Sequence, residues 1–142
     1  MISKQNIKLK QIDETDHDFL YTLLENRDSD TNISHKSMPN FDEHVKFVLS
    51  EPYSIWCIIL INDKKSGSIY LSKQDEIGIF LLNEVRGKGV GNIALQLLME
   101  KTPRKRYLAN ISPKNTKSSE FFEKNNFKLI QHTYELITKN SN

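Results

Sequence analysis

The stretch EIGIFLLNEVRGKGVGNIALQLLMEK, residues 76–101, combines the patterns of a strand, a glycine-rich turn and a helix. Apolar residues alternate at its start, which predicts a half-buried strand. After the turn, apolar residues recur at the spacing of one helix face, at Val90, Ile93, Ala94, Leu97 and Leu98. This spacing predicts an amphipathic helix that packs on a core. We expect the rest of the fold to be built around this strand–turn–helix unit.

The turn between this strand and helix carries the features of an anion-binding site. It and the first helical residues are Arg86, Gly87, Lys88, Gly89, Val90, Gly91 and Asn92. Backbone N–H groups at the start of a helix have no partner within the helix, and glycines leave them accessible. The two basic side chains add positive charge. The turn therefore predicts a site for a phosphate or pyrophosphate group.

Two common phosphate-binding motifs do not fit the spacing of this turn. A P-loop requires G-x-x-x-x-G-K-[ST], and residues 87–91 do not provide it. A dinucleotide fingerprint requires a glycine at position 92, where Asn92 stands. The acidic residue expected about twenty positions later is also missing, since Ile111 and Ser112 stand there.

The turn instead resembles the R/Q-x-x-G-x-G/A loop of the GNAT family of acetyl-CoA-dependent N-acetyltransferases, with Arg86, Gly89 and Gly91 in the specified places. A second segment, NTKSSEFFEKNNF, is similar to the N-x-x-A-x-x-x-Y-E-K-x-G-F motif of the same family. Asn115 opens this segment, and Phe122 stands at the tyrosine position. On these two motifs together, the chain is identified as a member of the GNAT family.

The resemblance implies one α/β (α+β) domain over residues 1–142 with the GNAT fold, a mixed central sheet of six to seven strands flanked by about four helices. The patterns predict the order β-α-α-β-β-β-α-β-α-β. Thr15 is the predicted cap of the first helix, and Asn40 with Glu43 forms a capping-box pair before the second. The polar segment 28–40 is long for a connection, and such loops are often functional.

Several strands are predicted from apolar runs. SIWCIILIN, residues 54–62, reads as a central strand covered on both faces, and a turn through residues 62–66 leads to the strand GSIYLSK. YLANIS, residues 107–112, is the strand after the glycine-turn helix. We expect the last strands to lie within FKLIQHTYELI, residues 127–137.

The amino-acid composition limits which classes of binding partner and which cellular compartment we expect. The net charge of +2 favours no polyanion partner, and the basic cluster KTPRKR, residues 101–106, is too short to predict nucleic-acid binding. No apolar run approaches the roughly 20 residues of a membrane-spanning helix, and the first residues do not resemble a signal peptide. The single cysteine, Cys57, lies in an apolar run and is expected to be buried. We therefore expect a cytoplasmic protein without nucleic-acid or membrane partners.

The resemblance implies acetyl-CoA as cosubstrate, and the four histidines show no metal-ligand spacing. In GNAT enzymes the pantetheine arm of CoA pairs with the strand before the loop, which implies contacts with the backbone of Ile79 and Leu81. The Leu81 N–H would also polarise the thioester carbonyl. The other groups implied to contact the cofactor are the N–H groups of residues 87–92, Arg86, Lys88, Asn115 and Phe122.

Two proton movements accompany acetyl transfer to an amine. Glu76 is the candidate base for the acceptor, directly or through water, although an exposed glutamate on a strand is also ordinary. In the family, a tyrosine commonly protonates the CoA thiolate, and here Phe122 has no proton to give. Water, Tyr70 or Tyr107 would then supply this proton. A CoA-binding or regulatory module without turnover is the alternative function.

The acceptor is expected to be a small-molecule primary amine. Residues 23–48 loosely resemble the acceptor region of GNATs that acetylate nucleotide-linked amino sugars, which favours such a sugar slightly over a protein N-terminus. Arg27 either caps a helix end or holds an anionic group of the acceptor. His44 is either a satisfied core histidine or a substrate contact. We expect a monomer or a homodimer, in which residues 133–137 can pair across two copies.

Overall fold

The computed structural model describes residues 2–27 and 38–139. The strands are Ile7–Gln11 (β1), Tyr53–Ile61 (β2), Lys64–Ser72 (β3) and Ile77–Leu81 (β4), and the α-helices are His17–Glu25 (α1), Phe41–Leu49 (α2), Val90–Lys101 (α3) and Thr116–Lys124 (α4). Residues 28–37, most of the polar segment, lie outside the described residues, so its functional role stays a prediction. Within the described ranges, no helix has the length and apolar character needed to cross a membrane.

The four strands form one antiparallel sheet in the order β1-β2-β3-β4. In its centre, Cys57 of β2 pairs with Ile69 of β3, and Ile69 pairs with Ile79 of β4. The tight turn between β2 and β3 is made by Asn62 and Asp63, whose φ angles are 49° and 67°. Asparagine and aspartate tolerate this left-handed conformation, which a tight hairpin requires.

Each face of the sheet buries its own set of side chains, because side chains alternate along a strand. The larger core lies under α3 and α4, where the fully buried residues are Cys57, Ile59, Ile69, Leu71, Ala94, Leu95 and Leu98. The smaller core joins Ile58 to Leu20, Leu23 and Val48 of α1 and α2. β2 is therefore covered on both faces, as predicted. Cys57 is fully buried, as predicted, and burial raises the pKa of its thiol to about 11.

The two N-terminal helices begin in different ways. The predicted capping box of α2 is confirmed, because Asn40 Oδ1 accepts the Glu43 N–H at 2.8 Å and Glu43 Oε1 accepts the Asn40 N–H at 3.0 Å. The predicted cap at Thr15 is wrong. Asp13 accepts the Thr15 N–H and begins a 3-10 turn, Glu14–Asp16, and α1 follows that turn. Asp13 thus takes the role that the sequence pattern assigned two residues later.

Asp16, at the end of that 3-10 turn, is fully buried and ionically paired. Its carboxylate lies 2.7 Å from Lys10 Nζ of β1 and 2.8 Å from Lys65 Nζ of β3. Burial alone would raise the pKa of Asp16, but hydrogen bonds from the two lysines outweigh it and lower the pKa. This cluster ties the start of α1 to two strands.

The sheet differs from the predicted six to seven strands of a mixed sheet, because the described residues contain four antiparallel strands. Residues 107–112 make only an isolated parallel bridge, between Leu108 and Glu76. Residues 127–137, predicted as the last strands, contain no strand and are exposed beyond Phe127. A strand needs a partner edge for its backbone groups, and neither segment has a full one within the described chain. The described ranges contain four α-helices, which agrees with the predicted number.

Candidate active site

The turn between β4 and α3 leaves backbone groups accessible. Gly87 and Gly89 have φ angles of 75° and 81°, and a Cβ at either position would meet no atom within 4 Å. Glycine adopts such angles at no steric cost, whereas most other residues are strained there. Gly89 is the N-cap of α3 and provides no side-chain cap. The N–H groups of residues 90–92 therefore have no acceptor within the helix and point back toward the turn.

Both basic side chains of the turn, Arg86 and Lys88, are exposed. Arg86 Nε donates to the carbonyl of Leu81, the last residue of β4, at 3.3 Å. This contact holds the guanidinium where β4 meets the turn. A cation beside the N-terminus of a helix adds to the positive end of the helix dipole and favours a bound anion.

Gly91 and Asn92 connect α3 to α4. Gly91 is buried, and a Cβ there would lie 2.9 Å from the ring of Phe121. Asn92 Oδ1 accepts a hydrogen bond from Asn125 Nδ2 at 2.9 Å. The missing side chain at position 91 therefore allows close packing of the two helices. Contacts of these two residues with a pyrophosphate, through their backbone N–H groups, stay a prediction.

Two residues of the second motif, Asn115 and Phe122, make contacts that stabilise the domain. Asn115 Oδ1 accepts the Ser118 N–H at 3.1 Å and caps α4, as its position predicts. Phe122 is 6% exposed, and its ring lies 5.0 Å from the rings of Phe121 and Phe127. These contacts hold α4 on the larger core. Cofactor contacts of Asn115 and Phe122 stay predictions.

The edge of β4 that faces residues 107–112 is open along most of its length. At one end, the Ile77 N–H donates to the carbonyl of Leu108 at 2.7 Å. Backbone groups of alternate residues point to the same side of a strand, so the N–H groups of Ile79 and Leu81 point to this edge as well. Among the described residues, no strand pairs with them there. The structure therefore leaves two N–H donors in a gap that ends at the glycine turn.

Glu76 lies at the closed end of this gap, and its carboxylate is held from two sides. Ser72 Oγ donates to one carboxylate oxygen at 3.1 Å, and Asn110 Nδ2 donates to the other. Asn110 belongs to the segment that the parallel bridge aligns with β4. Sequence reasoning missed both partners, because only the pairing of distant segments brings them to Glu76.

Five aromatic rings, called the aromatic cluster below, lie on or against the sheet face that carries Glu76: Phe47, Tyr53, Trp56, Tyr70 and Phe80. The rings of Tyr53 and Tyr70 are stacked, with centroids 3.8 Å apart and planes 3° apart. Gly78 of β4 makes room for this stack, since a Cβ there would lie 2.2 Å from the Tyr70 ring. Burial raises the pKa of both tyrosines, so their hydroxyl groups keep their protons at neutral pH.

The two predicted acceptor residues lie on the same side of the sheet. The Arg27 guanidinium carbon is 4.4 Å from the centroid of the Phe80 ring, a cation–π contact. His44 is 5% exposed and packs against Tyr21 of α1, and burial lowers its pKa, so the imidazole is neutral. Within the described chain, His44 Nε2 and Trp56 Nε1 are buried without a hydrogen-bond partner. Buried polar atoms without a partner are uncommon in folded proteins.

Three features follow one another along β4 and the turn: the Glu76 carboxylate, the outward N–H groups of Ile79 and Leu81, and the N-terminus of α3. This order suits an extended ligand that has an anionic end, with a second molecule near Glu76 and the aromatic cluster. No group of three or more His, Cys, Asp or Glu side chains in the described ranges is arranged to hold a metal ion.

Known proteins resemble this chain in sequence profile and in fold. The profile of the acetyltransferase (GNAT) domain matches residues 6–128, whereas no curated protein matches the sequence significantly. A domain from Methanocaldococcus jannaschii DSM 2661 has a TM-score of 0.80 at 25% identity, over 91% of this chain and 92% of that one.

Two solved structures that contain coenzyme A share the fold at lower identity. RimL, the alpha-N-protein acetyltransferase of ribosomal L7/L12, has a TM-score of 0.73 at 18% identity, over 92% of this chain and 84% of that one. The aminoglycoside N-acetyltransferase AAC(6')-Iy has a TM-score of 0.68 at 16% identity, over 94% and 95%. With a domain profile that spans most of its length, this chain belongs to the GNAT family of acetyltransferases.

Proposed function

We propose that this protein is an acetyl-CoA-dependent N-acetyltransferase that moves an acetyl group to a primary amine by direct transfer in a ternary complex. One observation carries the proposal: Glu76, the outward N–H groups of Ile79 and Leu81, and the glycine turn lie in sequence along one open edge. The CoA complexes of RimL and AAC(6')-Iy, which share the fold, support it.

The residues of the open edge and the turn fit the parts of CoA. The N–H groups of Ile79 and Leu81 suit the amide-bearing pantetheine arm, and the turn suits the pyrophosphate. The free space around Gly87 and Gly89, where a Cβ would meet no atom within 4 Å, leaves room for a phosphate group. Acetyl-CoA supplies an activated acyl group, and the Leu81 N–H is the donor that polarises its carbonyl.

Glu76 accepts the proton that the amine must lose, directly or through a water molecule. Ser72 and Asn110 hold its carboxylate in one orientation, which reduces the cost of positioning it for each turnover. General base catalysis of this kind contributes roughly 10²–10⁴-fold to a rate.

The proton for the leaving thiolate needs another source than Phe122. The Tyr107 hydroxyl donates to the Thr102 carbonyl at 2.8 Å and accepts the Arg104 N–H at 2.9 Å, so it serves the fold. Tyr70 lies on the same sheet face as Glu76, which makes it the better placed candidate of the two. Water remains the alternative donor.

The aromatic cluster and Arg27 form the proposed acceptor side. An ammonium group is attracted to aromatic faces, so the cluster can hold the amine before Glu76 removes its proton. Arg27 adds a positive charge for an anionic part of the acceptor, which agrees with a nucleotide-linked amino sugar. The proposed compartment is the cytoplasm, where a single buried cysteine stays reduced.

The proposal is tested by calorimetric titration with acetyl-CoA and CoA, followed by a thiol-release assay over a panel of amines that includes UDP-linked amino sugars. We expect micromolar binding that weakens in Arg86→Ala and Gly89→Trp, and thiol release that falls in Glu76→Gln. Arg106→Ala and Glu120→Gln, which change exposed charges elsewhere, are the matched controls. No binding of either ligand would refute the proposal.

A CoA-binding module without turnover is the second candidate, and the buried, hydroxyl-free ring of Phe122 favours it. Binding of acetyl-CoA without thiol release for any amine is the result that this alternative predicts. In that case Phe122→Tyr would be assayed next, and recovery of turnover would identify the missing hydroxyl as the cause.

A further inference from the structure

The basic cluster of residues 101–106 contains an arginine that contacts the turn beside the candidate base. Arg104 Nε lies 3.0 Å from a carboxylate oxygen of Asp75, in the turn between β3 and β4. Asp75 directly precedes Glu76 in the chain. The two paired side chains are 37% and 39% exposed, and an ion pair as exposed as this contributes little to the stability of a fold. A positioning effect of Arg104 can therefore be separated from stability by experiment.

The backbone that carries Arg104 is held in place by Tyr107. The Arg104 N–H donates to the Tyr107 hydroxyl at 2.9 Å, and this hydroxyl donates to the carbonyl of Thr102 at 2.8 Å. Arg104 Nη1 donates to the carbonyl of Pro103 at 3.0 Å, which orients the plane of the guanidinium. The side chain therefore extends to Asp75 from an ordered base, and the ion pair forms with little further loss of conformational freedom.

Asp75 binds the same segment a second time, through its backbone. Its carbonyl accepts the Leu108 N–H at 2.9 Å, and the Leu108 carbonyl accepts the Ile77 N–H at 2.7 Å. The φ angle of Asp75 is 63°, a left-handed conformation that aspartate tolerates. The bridge at Leu108 is isolated, and beyond it the segment leaves β4. Leu108 is therefore the pivot on which the direction of residues 109–112 depends.

The partners of the Glu76 carboxylate differ in how they are fixed. Ser72 Oγ accepts the N–H groups of Gln74 at 3.2 Å and of Glu76 at 3.0 Å. A hydroxyl has two acceptor sites and one proton, so this proton is directed to the carboxylate, 3.1 Å away. Ser72 is thus fixed by its own turn. Asn110, the other partner, comes from a distant segment, so its distance from Glu76 depends on how residues 104–110 are attached.

We propose that Arg104 is a positioning residue, which keeps Asn110 on the Glu76 carboxylate by fixing residues 104–110 on the turn between β3 and β4. Two attachments set the direction of this segment, the ion pair of Arg104 and the backbone bridge at Leu108. With the bridge alone, the segment can rotate. Asn110 lies about 7 Å beyond the pivot, so a rotation of about 10° moves it by about 1 Å. The effect on catalysis rests on the proposed function, whereas the effect on the contact does not.

Steady-state thiol release tests the role in catalysis. Arg104→Ala should lower kcat about 3–10-fold, because a base that is poorly positioned reacts more slowly. Calorimetry should show native affinity for acetyl-CoA, since the proposed cofactor contacts lie along β4 and in the glycine turn. Arg104→Lys should recover most of the rate, because an ammonium group still pairs with Asp75. In an Asn110→Ala background, Arg104→Ala should have no further effect. Arg106→Ala, in the same basic cluster, is the matched control.

The side-chain amide of Asn110 reports the contact without turnover. Its ¹⁵N resonance is identified by its loss in Asn110→Ala, and Glu76→Ala gives its position when the contact is absent. Arg104→Ala should move the resonance toward that position, and Arg104→Lys should restore it. The midpoint of urea unfolding should hardly change in either Arg104 variant, because the ion pair is exposed.

An Asn110 resonance that keeps its native position in Arg104→Ala would overturn the proposal, and so would a native rate of thiol release in that variant. A loss of rate that persists in the Asn110→Ala background, or that Arg106→Ala reproduces, would do the same. If the native protein releases thiol with no amine, the proposed function fails. The Asn110 resonance then decides by itself whether Arg104 holds this side chain on Glu76.

Discussion

Replacing Gly78 with alanine would place a methyl group inside the space of the Tyr70 ring. The added Cβ would lie 2.2–2.4 Å from three atoms of that side chain, whereas carbon atoms pack at about 3.5–4.0 Å. The ring must therefore move by about 1 Å or more. It is held in place by its stack on Tyr53, at a centroid distance of 3.8 Å.

The expected cost follows from three contributions. Overpacking of a well-packed site costs about 1–3 kcal/mol, and loss of an aromatic pair costs about 0.5–1.5 kcal/mol. Alanine in place of glycine in a strand adds about 0.5–1 kcal/mol to the free energy of unfolding, because it lowers the conformational entropy of the unfolded chain. We expect Gly78→Ala to lower the free energy of unfolding by about 2 kcal/mol.

Urea unfolding followed by tryptophan fluorescence measures this loss. The same substitution is made in a Tyr70→Ala background, where the ring that blocks the methyl group is gone. There Gly78→Ala should stabilise the protein by about 0.5–1 kcal/mol, because only the effect of alanine on the unfolded chain remains. The two positions should therefore show a coupling energy of about 2.5–3 kcal/mol. An equal loss in both backgrounds would refute the reasoning, since the glycine would then be needed for some reason other than the ring.

Three other predictions follow from named contacts. Asp16→Asn should lower the free energy of unfolding at pH 7 by about 2–4 kcal/mol in urea titrations, because two lysines lose their buried partner. Pairing with the lysines lowers the pKa of Asp16. Its contribution to the free energy of unfolding is therefore complete at pH values well above about 3.9, the ordinary pKa of an aspartate. That contribution is lost as the pH falls through the folded-state pKa. The difference between variant and native protein should therefore close in acid. Cys57 should react with a thiol reagent only when the protein unfolds, because it is fully buried with a pKa of about 11, and rapid labelling of native protein would contradict this. Asn110→Ala should reduce thiol release about 10-fold or more by freeing the carboxylate of Glu76, with no further effect in a Glu76→Ala background.

Local patterns predicted the elements around the glycine turn well. β4 spans Ile77–Leu81 and α3 spans Val90–Lys101, within the stretch whose periodicity changes from two to about 3.6 residues. The capping box of α2 and the burial of Cys57 were also predictable. Each of these features depends on residues that are close in sequence, or on a run of one chemical character.

The same patterns misjudged features that depend on distant partners. Gly91 matched the loop motif by position, yet the ring of Phe121 is what requires a glycine there. Asn110 had no local signal, and only the bridge between Leu108 and Glu76 brings it to the carboxylate. The segment 127–137 has strand composition but no strand in the described chain, because strand formation needs an edge that composition does not supply.

The sequence by itself determined the family, the strand–turn–helix unit and the two faces of the sheet, since hydrophobic period and glycine spacing are local properties that act wherever the segment lies. Only the tertiary structure decided which backbone groups of β4 stay open, which side chains hold Glu76, and which rings surround Gly78. These depend on register and on contacts between segments far apart in the chain, where a shift of one residue would turn every side chain of a strand to the other face.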